Sequence, residues 1–160
     1  MPKLEPTRFE ERGPFHAAGL KEHYTNETMD NIPRLWERFG PYIGKVPGQI
    51  GQATYGVCFN NDARGFDYLA GVEVSSQSGL PKEFHYLRIS AHNYAVFSHR
   101  EPVSTIRKTI EGIDKEWLPN SGYKPAGTPA FFERYENFDP KTGKGDIEIW
   151  LPVEKSAEKK

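Results

Sequence analysis

The order strand, helix, hairpin is written twice in this chain, and that repetition limits its possible folds more than any other feature. In the first half, Phe15 to His23 reads as an extended strand with Gly19 inside it. Between Asn26 and Ile43 the apolar residues Ile32, Leu35, Trp36, Phe39 and Ile43 fall on one helical face, with Arg34, Glu37 and Arg38 elsewhere, so an amphipathic helix is expected. Pro33 either starts that helix or kinks it. The glycine-rich stretch 44–52 reads as a loop. A hairpin of Thr54 to Phe59 and Phe66 to Val74 follows, turning across Asn60 to Gly65.

A polar linker, Ser75 to Leu80, closes on Pro81, and the same order returns. Phe84 to Ile89 and Asn93 to His99 are strand-like around a bend at Ser90-Ala91-His92. After Pro102, the residues Val103, Ile106, Ile110, Ile113 and Trp117 recur every three or four positions, which predicts a second amphipathic helix. A Pro/Gly loop from Pro119 to Pro129 leads to Phe131–Glu136, which is expected to pair with Ile147–Val153 across 137–145. Leu35 to Gly40 sits where Lys115 to Leu118 does, and Tyr55 to Phe59 matches Phe132 to Glu136. The 160 residues therefore read as one α+β domain, with repeat halves of about 8–74 and 84–153 and a charged tail at 155–160. Neither half can bury its own strands, so the expectation is one antiparallel sheet or pseudo-barrel with two helices packed on it and a central cleft between the halves.

Composition narrows the function classes. Lysine plus arginine number 21 and aspartate plus glutamate 22, so bulk charge does not draw the chain to nucleic acid or anionic membrane. The single Cys58 excludes an intramolecular disulfide framework and fits a reducing, cytoplasmic setting. No apolar run reaches the ~18 residues of a membrane span, and the N-terminus lacks a signal-peptide core. His16, His23, His85, His92 and His99 are dispersed without metal-ligand spacing, and neither a phosphate-cradling glycine loop nor a Gly-x-Ser-x-Gly elbow is present. No metal or other cofactor is expected.

The strand around Glu133 carries the most chemical information. Period-two alternation puts Phe131, Glu133 and Tyr135 on one face and Phe132, Arg134 and Glu136 on the other. If the aromatic face turns inward, an ionised Glu133 is costly alone, so it is protonated, paired with a protein cation, or kept for a cationic ligand. The alternative is a Glu133 paired with arginine or exposed at a sheet edge. Glu148, beside Trp150, is a second candidate, and Tyr55, Phe59, Phe66 and Tyr68 are further rings that serve as core, as pocket wall, or as both. Carboxylate plus rings outlines a site for lipophilic cations or planar aromatics.

The combination of His92-Asn93-Tyr94-Ala95-Val96-Phe97-Ser98-His99, Pro102 to Ile106, Glu116-Trp117-Leu118-Pro119 with Ser121-Gly122-Tyr123, Phe132-Glu133-Arg134-Tyr135 and Ile147 to Val153 resembles the GyrI-like small-molecule-binding domain, also called the AraC-type bacterial effector-binding domain. Tyr55-Gly56-Val57 and Tyr68 to Val72 match its first half, and the resemblance runs from about Arg8 to Val153. It implies a duplicated β-α-β-β fold with a ligand pocket between the repeats. It also implies that Glu133 is the acidic residue which, in multidrug-sensing members, receives cationic lipophilic ligands. Tyr55, Phe59, Tyr68, Phe131, Tyr135 and Trp150 are then the expected aromatic walls. Only seven residues precede Arg8, so direct DNA recognition by this chain is not expected. The resemblance leaves three roles open: binding or sequestration of a small molecule, partnership with a protein such as gyrase or a regulator, and hydrolysis of cyclopropane-bearing genotoxins with Glu133 as the catalytic carboxyl. The residues favour binding over catalysis.

Overall fold

Nine strands among the described residues, several of them with runs of consecutive buried residues, join in a single antiparallel sheet. The computed structural model describes residues 4–127, 130–139 and 141–156. Its strands are β1 (Arg8–Arg12), β2 (Phe15–Tyr24), β3 (Gln49–Asp62), β4 (Gly65–Val74), β5 (His85–Ile89), β6 (His92–His99), β7 (Tyr123–Pro125), β8 (Phe131–Asp139) and β9 (Lys144–Lys155). They lie in the order β1-β6-β9-β8-β3-β4-β2-β5, with β7 also paired to β9. The sheet is curved but not a closed barrel, since β1 and β5 remain its two edges.

The duplication is visible residue by residue. Arg8 of β1 corresponds to His85 of β5, Phe15 of β2 to His92 of β6, and Thr54 of β3 to Phe131 of β8, at the same interval each time. Asn60 and Asn137 correspond as well. Both adopt left-handed backbone, with φ 53° and 52°, and their side-chain amides donate to Asp67 and Asp146 at 2.9 and 2.8 Å. Each repeat thus bends its hairpin with the same Asn/Asp device, asparagine being the non-glycine residue that tolerates this conformation best. The initial strands are exchanged: β1 pairs with β6 of the second repeat, and β5 with β2 of the first.

Helix α1 (Ile32–Phe39) lies over the first repeat, burying Leu35 and Phe39 against Leu20, Cys58, Tyr68 and Ala70. In the second repeat Ile113 and Trp117 take that role against Ala95, Phe97 and Ile149. The opposite side of the sheet closes on itself. There Phe15, Tyr55, Val57, Phe59, Tyr94, Phe132 and Trp150 form a separate core, each ring contributing on the order of 2 kcal/mol through burial. The curl is fastened by Arg12 of edge strand β1, which donates to Glu73 of β4 at 2.8 Å and stands 3.7 Å over the ring of Phe15 on β2.

Several elements differ from the sequence expectation. Strand β1 is not among the expected strands, and the stretch 44–52, read as a loop, already holds the start of β3 at Gln49. The hairpin strands run further into the turns 60–65 and 137–145 than expected. The first helix spans eight residues rather than 26–43, because the chain turns at Thr25–Thr28 and Pro41 opens a tighter turn at Gly40–Tyr42. The second is segmented into a 3₁₀ turn (Val103–Thr105), α2 (Ile106–Gly112), a π turn (Ile113–Trp117) and α3 (Leu118–Ser121). The wide π turn keeps both Ile113 and Trp117 facing the sheet. The stretch read as the loop 119–129 contains the end of α3 and all of β7, with residues 128 and 129 outside the described residues. Of the expected tail 155–160, Lys155 ends β9, and residues 157–160 lie outside the described residues.

Candidate functional site

The repeats meet where β3 pairs with β8, and the ladder sets Gly56 directly opposite Glu133. The interval that relates the two repeats also carries Gly56 onto Glu133, so the pseudo-twofold axis passes between these two residues. Opposed residues of an antiparallel pair project from the same face. One repeat therefore places a carboxylate on the axis, and the other leaves the space bare. A Cβ on Gly56 would collide with Tyr68 Oη and crowd Glu133 Oε1.

Glu133 is 5 % exposed. Its Oε1 accepts hydrogen bonds from Tyr68 Oη at 2.7 Å and Tyr135 Oη at 2.6 Å. The indole of Trp36 on α1 donates to Tyr68 Oη at 3.0 Å and meets the Tyr135 ring edge-on, with centroids 5.6 Å apart. Trp36 is half-buried, so it stands as a partly exposed cover on a buried carboxyl. No ion pair to Glu133 occurs among the described residues. Burial raises its pKa above the ordinary carboxylate value, and the two tyrosine hydroxyls offset part of that rise. Burial also pushes Tyr68, Tyr135 and Cys58 well up, and the Glu133 charge adds to each shift.

The scaffold is repeated, but its chemistry is one-sided. The counterpart of Tyr68 in the second repeat is Ile147, and the counterpart of Tyr135 in the first is Cys58. At the seam Glu133, Tyr68, Tyr135 and Cys58 are all buried. The two cavities described lie elsewhere. One of about 250 Å³ lies beside Phe9 and Tyr123, and one of about 500 Å³ lies at the β3–β4 turn near Arg64 and Phe66.

Of the residues singled out in the sequence, Glu133, Tyr68, Phe131 and Tyr135 come together on the helix-bearing face of the seam. Phe131 packs against both helix-side clusters. Tyr55, Phe59 and Trp150 lie in the core of the opposite face and share no wall with Glu133. Strand parity separates Tyr55 and Phe59 from the Gly56 face, and Trp150 from the Ile149 face. Glu148 is placed apart too: it accepts from Arg8 at 2.9 Å and from the Trp150 indole at 3.0 Å. Burial would raise its pKa, but these bonds outweigh that and hold it below the usual carboxylate range. Trp36 was absent from the sequence candidates. Its place in the apolar stripe of α1 reads as core, although it lies one residue round from buried Leu35, on the side that reaches the seam. Among the described residues no group of three or more His, Cys, Asp or Glu side chains could hold a metal, and no helix is long and apolar enough to cross a membrane.

Comparison with known proteins gives a family match over nearly the whole chain. The model of the GyrI-like small molecule binding domain matches residues 5–154. The transcriptional regulator BrlR of Pseudomonas aeruginosa is 29 % identical over 153 residues, which cover 91 % of this chain and 54 % of BrlR. A DNA gyrase inhibitor of Erwinia billingiae is 46 % identical over 41 residues, 26 % of each protein. The chain thus spans about half the length of the first relative and about a quarter of the second. Among solved structures, SAV2435 bound to tetraphenylphosphonium has the same fold, with a TM-score of 0.75 at 20 % identity over 92 % of this chain and 93 % of that one.

Proposed function

Since the chain belongs to the family of GyrI-like small-molecule-binding domains, we propose that it takes a lipophilic organic cation into the seam between its repeats, with Glu133 as counter-charge. The observation that carries this reading is a buried carboxyl with no cationic partner among the described residues, ringed by Tyr68, Tyr135, Trp36 and Phe131. A cation supplies the missing charge, and the ring faces add attraction of about 0.5–2 kcal/mol each. The tetraphenylphosphonium held by a protein of the same fold supports the same ligand class here.

Entry requires Trp36 to leave its place over Tyr68. Helix α1 suits that movement, because eight residues make a marginal helix and no side chain caps its N-terminus. In this reading the domain senses a small molecule for a transcription regulator. Identity to BrlR supports that role, and the near-neutral charge supports a domain that contacts the ligand rather than DNA.

The test is titration with tetraphenylphosphonium, followed by tryptophan fluorescence. Saturable quenching is expected, and Trp36→Phe should remove most of it while Trp117 and Trp150 remain. Glu133→Gln keeps the hydrogen-bond acceptor but removes the charge, and affinity should fall about tenfold or more. Equal affinity in wild type and Glu133→Gln would overturn the reading.

A further inference from the structure

We propose that the site exchanges a proton for its cation: Glu133 holds a proton on Oε2 when the seam is empty and releases it to solvent as the organic cation enters. This rests on the ligand reading above and adds what the site gives up in return.

The geometry of the carboxyl supplies the argument. Both tyrosine hydroxyls donate to the same oxygen, Oε1. Among the described residues Oε2 receives no hydrogen bond, and no fully buried side-chain oxygen there lacks one, so Oε2 keeps a contact with solvent and is the atom that can exchange a proton with water. The groups facing Glu133 come from four elements: Tyr68 of β4, Cys58 of β3, Tyr135 of β8 itself and the indole of Trp36 on α1. The ladder partner on β9 is Ile149, which does not titrate. None of these groups is a cation, and the tyrosines and the thiol are neutral acids whose burial keeps them so. The neighbouring Arg134 projects to the other face, where it pairs with Glu136 at 2.6 Å. An ionised carboxylate so nearly buried has no counter-charge among the described residues. A proton neutralises the empty site and a bound cation neutralises the filled one, so net charge in the seam is zero in both states. The exchange balances: the Oε2–H bond breaks, the proton passes to water, the electron pair stays on the carboxylate, and the cation takes the vacated position. Nothing is oxidised or reduced.

Tetraphenylphosphonium is the suitable probe, because it is a permanent cation with no proton of its own. Calorimetric titration of the intact chain from about pH 5 to about pH 8, in two buffers of different ionisation enthalpy, reads the exchange directly. The expected result is an affinity that rises by up to about tenfold per pH unit below the carboxyl's pKa and levels off above it. The heat should differ between buffers by an amount corresponding to at most one proton released. Glu133→Gln and the neutral probe triphenylphosphine oxide should show neither effect. Binding by the wild type with a flat pH profile and buffer-independent heat would overturn the exchange while leaving the ligand reading standing. A pH slope of the same size for the neutral probe would overturn it too. Failure of tetraphenylphosphonium to bind at any pH would overturn the ligand reading itself.

Discussion

At the scale of single residues, Gly56 and Glu133 occupy one repeated position with opposite consequences. The glycine has no side chain, and the carboxyl and the Tyr68 hydroxyl occupy that volume. Gly56→Ala is therefore expected to cost about 1–3 kcal/mol through overpacking, read as a lower urea midpoint with unchanged m. An unchanged midpoint would show that the seam has slack. Glu133 also makes stability depend on pH. Its folded pKa lies above the ordinary 4.5, so the folded state binds the proton more tightly than the unfolded chain does. That contribution is complete below the ordinary value and disappears as pH rises through the raised one. Denaturation curves should show wild type losing stability relative to Glu133→Gln across this window, whereas parallel pH profiles would contradict it. Much of this was legible in the alternation that set Phe131, Glu133 and Tyr135 on one face. The sorting of Tyr68 from Tyr55 and Phe59 was not, because it depends on the register that sets Tyr68 opposite Cys58. No local pattern states that register.

At the scale of elements, α1 is the component that would have to move for a ligand to reach Glu133 under the proposed reading. Two buried residues hold it, and 3₁₀ turns bound it on both sides. Its amides are expected to exchange with solvent faster than those of β3 and β8, whose ladders lie in the middle of the sheet. Hydrogen exchange followed by mass spectrometry checks this, and protection of α1 equal to that of β3 would show a helix too firmly held to uncover Glu133. The sequence made the helix legible through Leu35, Trp36 and Phe39, but overstated its length. Apolar spacing continues to Ile43, while Pro41 ends the regular turns, and periodicity does not weigh one against the other. The second helix was equally legible as a stripe. Its π turn was not, because one wide turn shifts the phase without altering which residues are apolar.

At the scale of the whole molecule, two repeats share one sheet and trade their first strands. The repeated order made the duplication readable from the sequence, but the trade was not, since β1 and β5 resemble each other in length and either pairing satisfies local alternation. The exchange makes each repeat dependent on the other, and Arg12 ties it down through Glu73 and the Phe15 ring. Arg12→Ala is expected to cost about 1–3 kcal/mol, combining a lost charged hydrogen bond with a lost cation–π contact. The variant should still unfold in a single transition, with fluorescence and far-ultraviolet circular dichroism coincident; two separated transitions would show that the repeats fold independently. The central claim, that an organic cation is held at Glu133, is tested most directly by a crystal structure of the chain with tetraphenylphosphonium. The account predicts the phosphonium in the seam beside the Glu133 carboxylate, with Trp36 moved off Tyr68. A ligand seated instead in the outer cavity beside Phe9 and Tyr123, with the Trp36 to Tyr68 hydrogen bond intact, would contradict it.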